Sequence, residues 1–232
     1  MKDLDVLAPQ EGISISPYAG FANIRNLDIS TSPGIVKINH PLSKKSGSTV
    51  VELAKWIVQN PKNTSEVFAL DGGGTLYHST DSGVTWAIIT GNTAGAGQGL
   101  AIWKDYLFVA YAGGLDVYGT LSGTPVWTLA WQTIDTDADW HPMLVSKNDS
   151  KLYGGAGRYI FSLDEATTFD PATSSTYTWT KQALDLPPDY RIKCLAEHGK
   201  NLLAGTWQGT SVNDVQIADI FPWDRSSTSF DQ

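Results

Sequence analysis

Basic side chains are scarce in this chain: 16 lysines and arginines stand against 24 aspartates and glutamates, a formal net charge of −8 over 232 residues. A surface so short of positive charge argues against broad docking onto nucleic acid or anionic membrane, both of which call for a cationic field. Lys44-Lys45 is the one local basic pair. Cysteine is nearly absent: Cys194 alone excludes an internal disulfide framework and a cysteine-rich zinc site. Its setting in "RIKCLAE" predicts a buried small hydrophobe. No run approaches the roughly 18 apolar residues of a membrane-spanning helix, so membrane insertion is not expected. The opening "MKDLDVLAPQEG" has neither the apolar core nor the small-residue cleavage site of a secretory signal, so the expectation is a chain made in a cytoplasm. A sustained helical period is missing as well.

What the chain does have is branched and aromatic apolar side chains, with 41% hydrophobic and 11% aromatic residues, enough for a packed core. They come in short runs punctuated by Gly, Asn, Asp and Pro, the signals of strands and hairpins. These runs recur. "LAKWIV", "EVFAL", "TLYHS" and "TWAIIT" form a first unit; "GLAIW", "YLFVAYA", "LDVYGT" and "PVWTLAW" a second. "MLVS", "KLYGGA", "RYIFSL" and "TYTWTKQ" form a third, and "IKCLAE", "NLLAGTW" and "VNDVQIA" a fourth that then fades. The second strands align at Phe68, Phe108, Tyr153 and Leu203, so the interval grows from 40 to 45 to 50 residues as loops lengthen. "VVELAKWIVQ" could also be read as a short helix, but its place in the repeat favours a strand.

A four-stranded antiparallel unit repeated at this interval predicts an all-β protein of the β-propeller class, in which each blade covers the apolar face of the next. The expected organisation is an N-terminal extension over residues 1–50, then about four blades near 51–90, 98–132, 141–183 and 190–232. The late tryptophans Trp86, Trp127 and Trp179 are expected in the layers between blades. The extension is a candidate for closing the ring by covering an edge strand. The fourth unit lacks a clear last strand, which leaves an incomplete ring as an alternative to a closed one; an open arc would expose an apolar face and call for self-association or a partner.

The stretch "STDSGVTW" resembles the Asp-box turn of sialidase-type and related propellers, with Ser79, Asp81, Gly83, Thr85 and Trp86 at every defined position. "SLDEATTF" is similar but weaker, matching at Ser162, Asp164, Thr168 and Phe169 with Ala166 in place of glycine. The resemblance implies a structural turn on the propeller periphery: the aspartate clamps backbone N–H groups and the glycine bends the chain. The segment "NIRNLDISTSPGIVKIN" also resembles the start of tailed-bacteriophage structural proteins at Asn23, Arg25, Asn26, Asp28, Ile29, Pro33, Gly34, Lys37 and Asn39, and "FPWDRSSTSFD" looks like a linker to further blades in such proteins. That likeness implies a virion or tail-associated role, with other virion proteins as partners.

Catalytic chemistry is poorly represented. A sialidase clamps its substrate with three arginines, whereas the arginines here are Arg25, Arg158, Arg191 and Arg225, with only "YRIK" as a partial echo of the expected motif. A glycoside hydrolase needs two facing carboxylates, and no spacing singles out a pair from Asp135, Asp137, Asp139, Asp164 and Asp185. "DTDAD" opens like a calcium loop on Asp135, Asp137 and Asp139. Trp140 stands where an EF-hand needs glycine, however, and Ser146 where it needs glutamate. An acidic inter-blade loop is the reading, with an irregular calcium site as the remaining alternative. The glycine clusters "DGGGT" and "GNTAGAGQG" precede strands rather than the helix a phosphate loop requires. His40, His78, His141 and His198 lack zinc-helix spacing. No catalytic residue, metal or cofactor is assigned. The expectation is a non-enzymatic structural or interaction module. The alternative is a glycan-binding propeller or degenerate glycoside hydrolase, for which Trp140 and Trp207 are the candidate ligand-facing aromatics.

Overall fold

The structure, a computed structural model, describes residues 54–93, 95–136, 140–208 and 217–229, and the backbone of 27–28 and 37–38. The chain divides into two compact units, Met1–Lys45 and Ser46–Gln232. In the first, β1 (Leu27–Asp28) pairs antiparallel with β2 (Lys37–Ile38). Most of the phage-like segment, and with it the proposed ring closure, lies outside the described residues.

The second unit is four antiparallel meanders, each with its strands in chain order. The first sheet is β3 (Ala54–Gln59), β4 (Val67–Asp71), β5 (Leu76–Ser79) and β6 (Ala87–Ile89). The second is β7 (Gly97–Trp103), β8 (Tyr106–Tyr111), β9 (Gly114–Gly119) and β10 (Val126–Thr133). The third is β11 (Met143–Val145), β12 (Leu152–Ala156), β13 (Tyr159–Glu165) and β14 (Tyr177–Asp185). The fourth is β15 (Tyr190–His198), β16 (Asn201–Gln208) and β17 (Ile217–Trp223). Of the stretch that could have been helical, Ala54–Gln59 is strand. Short loops enforce the meander: the β7–β8 hairpin turns on Lys104 and Asp105, both at positive φ (54° and 87°), the twist that suits a two-residue hairpin.

First strands of successive sheets stand side by side, β3 by β7, β7 by β11 and β11 by β15, so the sheets are arranged as blades of a β-propeller. Side-chain alternation gives each blade two apolar faces, and three interfaces follow. Phe68, Leu70 and Leu76 of the first sheet meet Leu100, Ile102, Leu107 and Val109 of the second. Phe108, Val117 and Trp103 meet Leu152, Leu163 and Phe169 of the third. Tyr153, Ile160 and Leu184 meet Ile192, Leu202, Ala204 and Trp223 of the fourth. Each fully buried Leu or Phe adds roughly 1.5–3 kcal/mol, which is why a lone blade would not stand. Indole N–H groups fasten the stack: Trp103 donates to Ser150 O at 2.6 Å, Trp127 to Thr90 O at 3.0 Å and Trp131 to Pro171 O at 3.0 Å.

Two expectations need correction here. The third strand of the fourth unit is Ile217–Trp223, not "VNDVQIA", and it includes the "FPW" read as linker. Pro222 sits in it without penalty because β17 is the outermost strand of its sheet among the described residues, where one N–H has no ladder to serve. Cys194 is exposed rather than buried, because among the described residues the face of the fourth sheet that carries it has no sheet against it.

Candidate functional site

Meander topology puts the β4–β5, β8–β9 and β12–β13 hairpins and the links between sheets at one end of the blades, and the β3–β4, β5–β6, β7–β8, β9–β10, β11–β12, β13–β14 and β15–β16 hairpins at the opposite end. The "STDSGVTW" turn belongs to the second group, between β5 and β6. Asp81 Oδ1 accepts from Val84 N (3.0 Å), Thr85 N (2.8 Å) and Ser79 Oγ (2.8 Å), and Oδ2 from Thr85 Oγ1 (2.6 Å). The Thr85 hydroxyl, Thr85 N–H and Ser79 hydroxyl hold the Asp81 carboxyl at about 2, below its usual 3.8. Gly83 takes φ 85°, where a side chain would be strained.

Trp86 does not enter an inter-blade cluster as Trp127 and Trp179 do. Its indole N–H folds back to Gly83 O at 3.1 Å, so the ring caps its own turn. The weaker copy behaves differently. Ser162 and Asp164 lie inside β13, where Asp164 is paired with Thr178 in the ladder and ion-paired to Lys151 at 3.0 Å. Glu165 and Asp170 hold this longer loop instead, accepting from Phe169 N (3.0 Å) and from Ala172 N (3.0 Å). Phe169 is core, 3% exposed, and Thr168 is exposed.

At the link end, Asp135, Thr136, Gly157, Arg158, Asp189, Tyr190 and Arg191 line a polar cleft of about 210 Å³. Arg158 is bound by both oxygens of Asp185, at 3.0 and 3.1 Å, and lies 4.9 Å from the Tyr159 ring centre. Of the hydrolase candidates, Asp185 is thus taken by Arg158 and Asp164 stands at the other end. Asp137 and Asp139 are outside the described residues. Arg158 and Arg191 share the cleft, Arg225 is at the opposite end, and Arg25 is not described, so no triad of arginines is brought together among the described residues. His78 bonds Glu66 at 2.8 Å and His141 is buried with Nδ1 3.1 Å from Gly155 O.

The two candidate aromatics are separated. Trp140, 40% exposed, sits on the link between the second and third sheets against Trp56 (ring centres 5.7 Å). Trp207 lies on β16, on the far face of the fourth sheet. On that face Cys194 pairs across Gly205 with Ile220, Ala196 across Leu203 with Pro222, and Trp207 with Ala218. Trp207 is 43% and Ile220 68% exposed. With Lys193, Thr206 and Asp219 they line a shallow depression of about 610 Å³. The sequence held the signal for this face, because β15 to β17 carry apolar residues in both phases of the alternation, as strands covered on both sides do.

A further group went unread in the sequence. Arg225, from the stretch taken for a linker, donates to Glu197 Oε1 (2.6 Å) and lies 3.2 Å from Asp149. Burial pushes the Glu197 carboxyl up. Hydrogen bonds from Ser146 Oγ, Lys147 N, Asn148 Nδ2 and Arg225 outweigh it and hold the group at about 2. This network ties the third sheet to the fourth at the end opposite the cleft and is structural.

No protein-family model and no curated protein matches the chain. Among solved structures it is similar to the Niastella koreensis GH74 enzyme, at 20% identity and a TM-score of 0.49 over 74% of this chain and 28% of that one. It is also similar to an auxiliary nutrient binding protein from Bacteroides thetaiotaomicron, at 11% identity and 0.44 over 74% and 42%. A third is the computationally designed Ika4 protein, at 11% and 0.38 over 68% and 86%. The chain thus spans less than half the length of the first two.

Proposed function

We propose that this chain is a non-enzymatic structural and interaction module whose working surface is the outward face of the fourth sheet, and that it serves in a phage virion or tail. One observation carries the reading: among the described residues no sheet covers the face whose rows are Trp207–Ala218, Cys194–Gly205–Ile220 and Ala196–Leu203–Pro222, and on it Trp207 is 43% and Ile220 68% exposed. Contiguous apolar patches of this kind mark interaction sites. The virion setting rests on the sequence likeness of the N-terminal segment alone. The test is particle incorporation: Trp207→Ser and Ile220→Lys, introduced together in the producing system, should leave the chain folded but absent from purified particles. Unchanged incorporation, or recovery of the unaltered chain free of any particle, overturns the reading.

A second reading is favoured by Trp140, an exposed ring held edge-on by Trp56 with the Lys55 ammonium 6.0 Å from its centre. Such a platform suits stacking on a sugar. Glycan-array binding that disappears in Trp140→Ala would support it, and no retained glycan would remove it.

A further inference from the structure

We infer that residues 224–229 are a latch that clasps the fourth sheet to the third in place of an outermost strand, and that its release lets the fourth sheet open as a unit while the other sheets stay closed. The inference concerns how that sheet is held, and stands whatever its outward face meets.

The three interfaces between sheets differ at the rim. The first is filled outward by Ile89 of β6 and Trp127 of β10, and the second by Trp131 of β10 with Tyr177 and Trp179 of β14. In the third, apolar packing reaches only Ala183 and Leu184, at the link end of β14, and Trp223, the last residue of β17. Elsewhere on β14 the third sheet is polar on that side: Ser162 and its ladder partner Thr180 line a crevice of about 260 Å³ with Lys151 and Gln182. The other side of the crevice is formed by Trp223, Arg225, Ser227 and Thr228, the end of β17 and the segment after it.

A chain leaving β17 would complete a four-stranded meander by turning back along β17. This one runs back along the third sheet instead, and is pinned at both ends. At the hairpin end the Arg225 guanidinium spans the interface. It donates to Glu197 Oε1 (2.6 Å) and Lys200 O on the fourth sheet and to Ser146 Oγ (3.2 Å) on the third, pairs with Asp149 at 3.2 Å, and lies 5.3 Å from the Tyr153 ring centre. At the link end Asp185 N donates to Thr228 O at 2.9 Å, and Ser229 bridges Asp185 in parallel. Between the pins the bend is set locally. The Trp223 indole donates to Ser227 O (2.7 Å), and Asp224 Oδ1 accepts from Ser226 N (2.9 Å) and Ser226 Oγ (2.6 Å). Every side chain from 224 to 229 is polar and all but Arg225 are exposed, so hydrogen bonds and not burial hold the segment.

Elements held by few apolar contacts and by exposed hydrogen bonds are the ones that open at least cost. With the latch off, the fourth sheet keeps its inner apolar cluster and the bonds from Ser146, Lys147 and Asn148 to Glu197. It loses the fastening along its outer edge. Release also frees the N–H of Asp185, whose carboxylate holds Arg158 in the polar cleft, so latch and cleft share one residue.

Amide hydrogen exchange resolved by residue, on the full chain in low urea, tests this. Arg225→Ala removes one pin. Ser226→Pro removes the N–H bonded to Asp224 and pushes Arg225 off its φ of 71° toward extended backbone. Each should speed exchange across β15–β17 by about tenfold or more, as for the loss of a hydrogen bond to a charged group, and leave β7–β9 within about twofold. A fourth sheet as protected as in the parent, or an acceleration spread evenly over all four sheets, would overturn the inference. If a variant fails to fold, the parent chain still decides, because Asp185 N–H reports the latch directly. Protection should rise from Asp185 through β15–β17 to β7–β9. A fourth sheet as firmly protected as the second, or Asp185 more protected than β15–β17, sinks the proposal.

Discussion

The fourth sheet presents two faces made by the same three strands, and they have opposite fates. Leu202 and Ala204 are fully buried against Tyr153, Ile160 and Leu184, while Leu203, Gly205 and Trp207, their immediate neighbours on β16, face water. Both faces carry large apolar side chains, Leu202 and Trp223 on one and Trp207 and Ile220 on the other, so hydrophobicity alone does not set the contrast. Among the described residues only the first has another sheet against it, so burial in this fold belongs to the interface between blades and not to the blade.

The sharpest way to break that comparison is to remove the same side chain from each face. Leu202→Ala should cost about 2–5 kcal/mol in urea or thermal unfolding, the range for a buried leucine that leaves a cavity. Leu203→Ala in a dilute sample should cost well under half as much, because part of its surface is already wet. Equal losses would mean that the outward face is covered within one chain.

The Glu197 network sharpens the comparison at the edge of the buried face. Removing the carboxylate with Glu197→Gln leaves Arg225 with a weakened partner in a place where its side chain is only 16% exposed, and should cost about 1–3 kcal/mol. The pH signature follows from sign. The folded group sits at about 2 against an ordinary 4.5, so its contribution is complete above about pH 4.5 and drains away as pH falls toward 2. Glu197→Gln should flatten that part of the acid-stability curve. An unchanged acid limb would remove the network as its cause.

How far the sequence foretold this depends on what each residue had to signal. The repeat was legible because Phe68, Phe108, Tyr153 and Leu203 recur on equivalent strands, and period-2 alternation survives changes in loop length. The Asp81 turn was legible because every hydrogen bond to the Asp81 carboxylate is local, within four residues. The copy at Asp164 was not, since β13 runs on to Glu165 and carries that aspartate into the ladder. Arg225 and Glu197 are 28 positions apart and meet only through the β15–β17 sheet. Pro222 disguised its strand, because an edge position is a property of the sheet and not of the segment.

The two aspartates give a smaller contrast. Asp81→Ala should lower the melting temperature modestly and leave the β5–β6 hairpin more open to amide exchange, since four hydrogen bonds from Ser79, Val84 and Thr85 lose their acceptor. Asp164→Ala should change neither, because an ion pair to Lys151 with side chains 34% and 44% exposed contributes little in water. If the two substitutions behave alike, the clamp reading of Asp81 fails.

The smallest effect is expected where the exposure is greatest. Ile220 is 68% exposed on the outward face, so Ile220→Ser in a chain dilute enough to be alone should move unfolding by no more than about 0.5 kcal/mol. The same substitution deletes a large part of the wet apolar surface, and binding of a hydrophobic dye should fall visibly. Stability and surface are thereby read separately at one position. A clear loss of stability in the dilute chain would show Ile220 packed by its own molecule and would make the fourth sheet two-sided within a single copy.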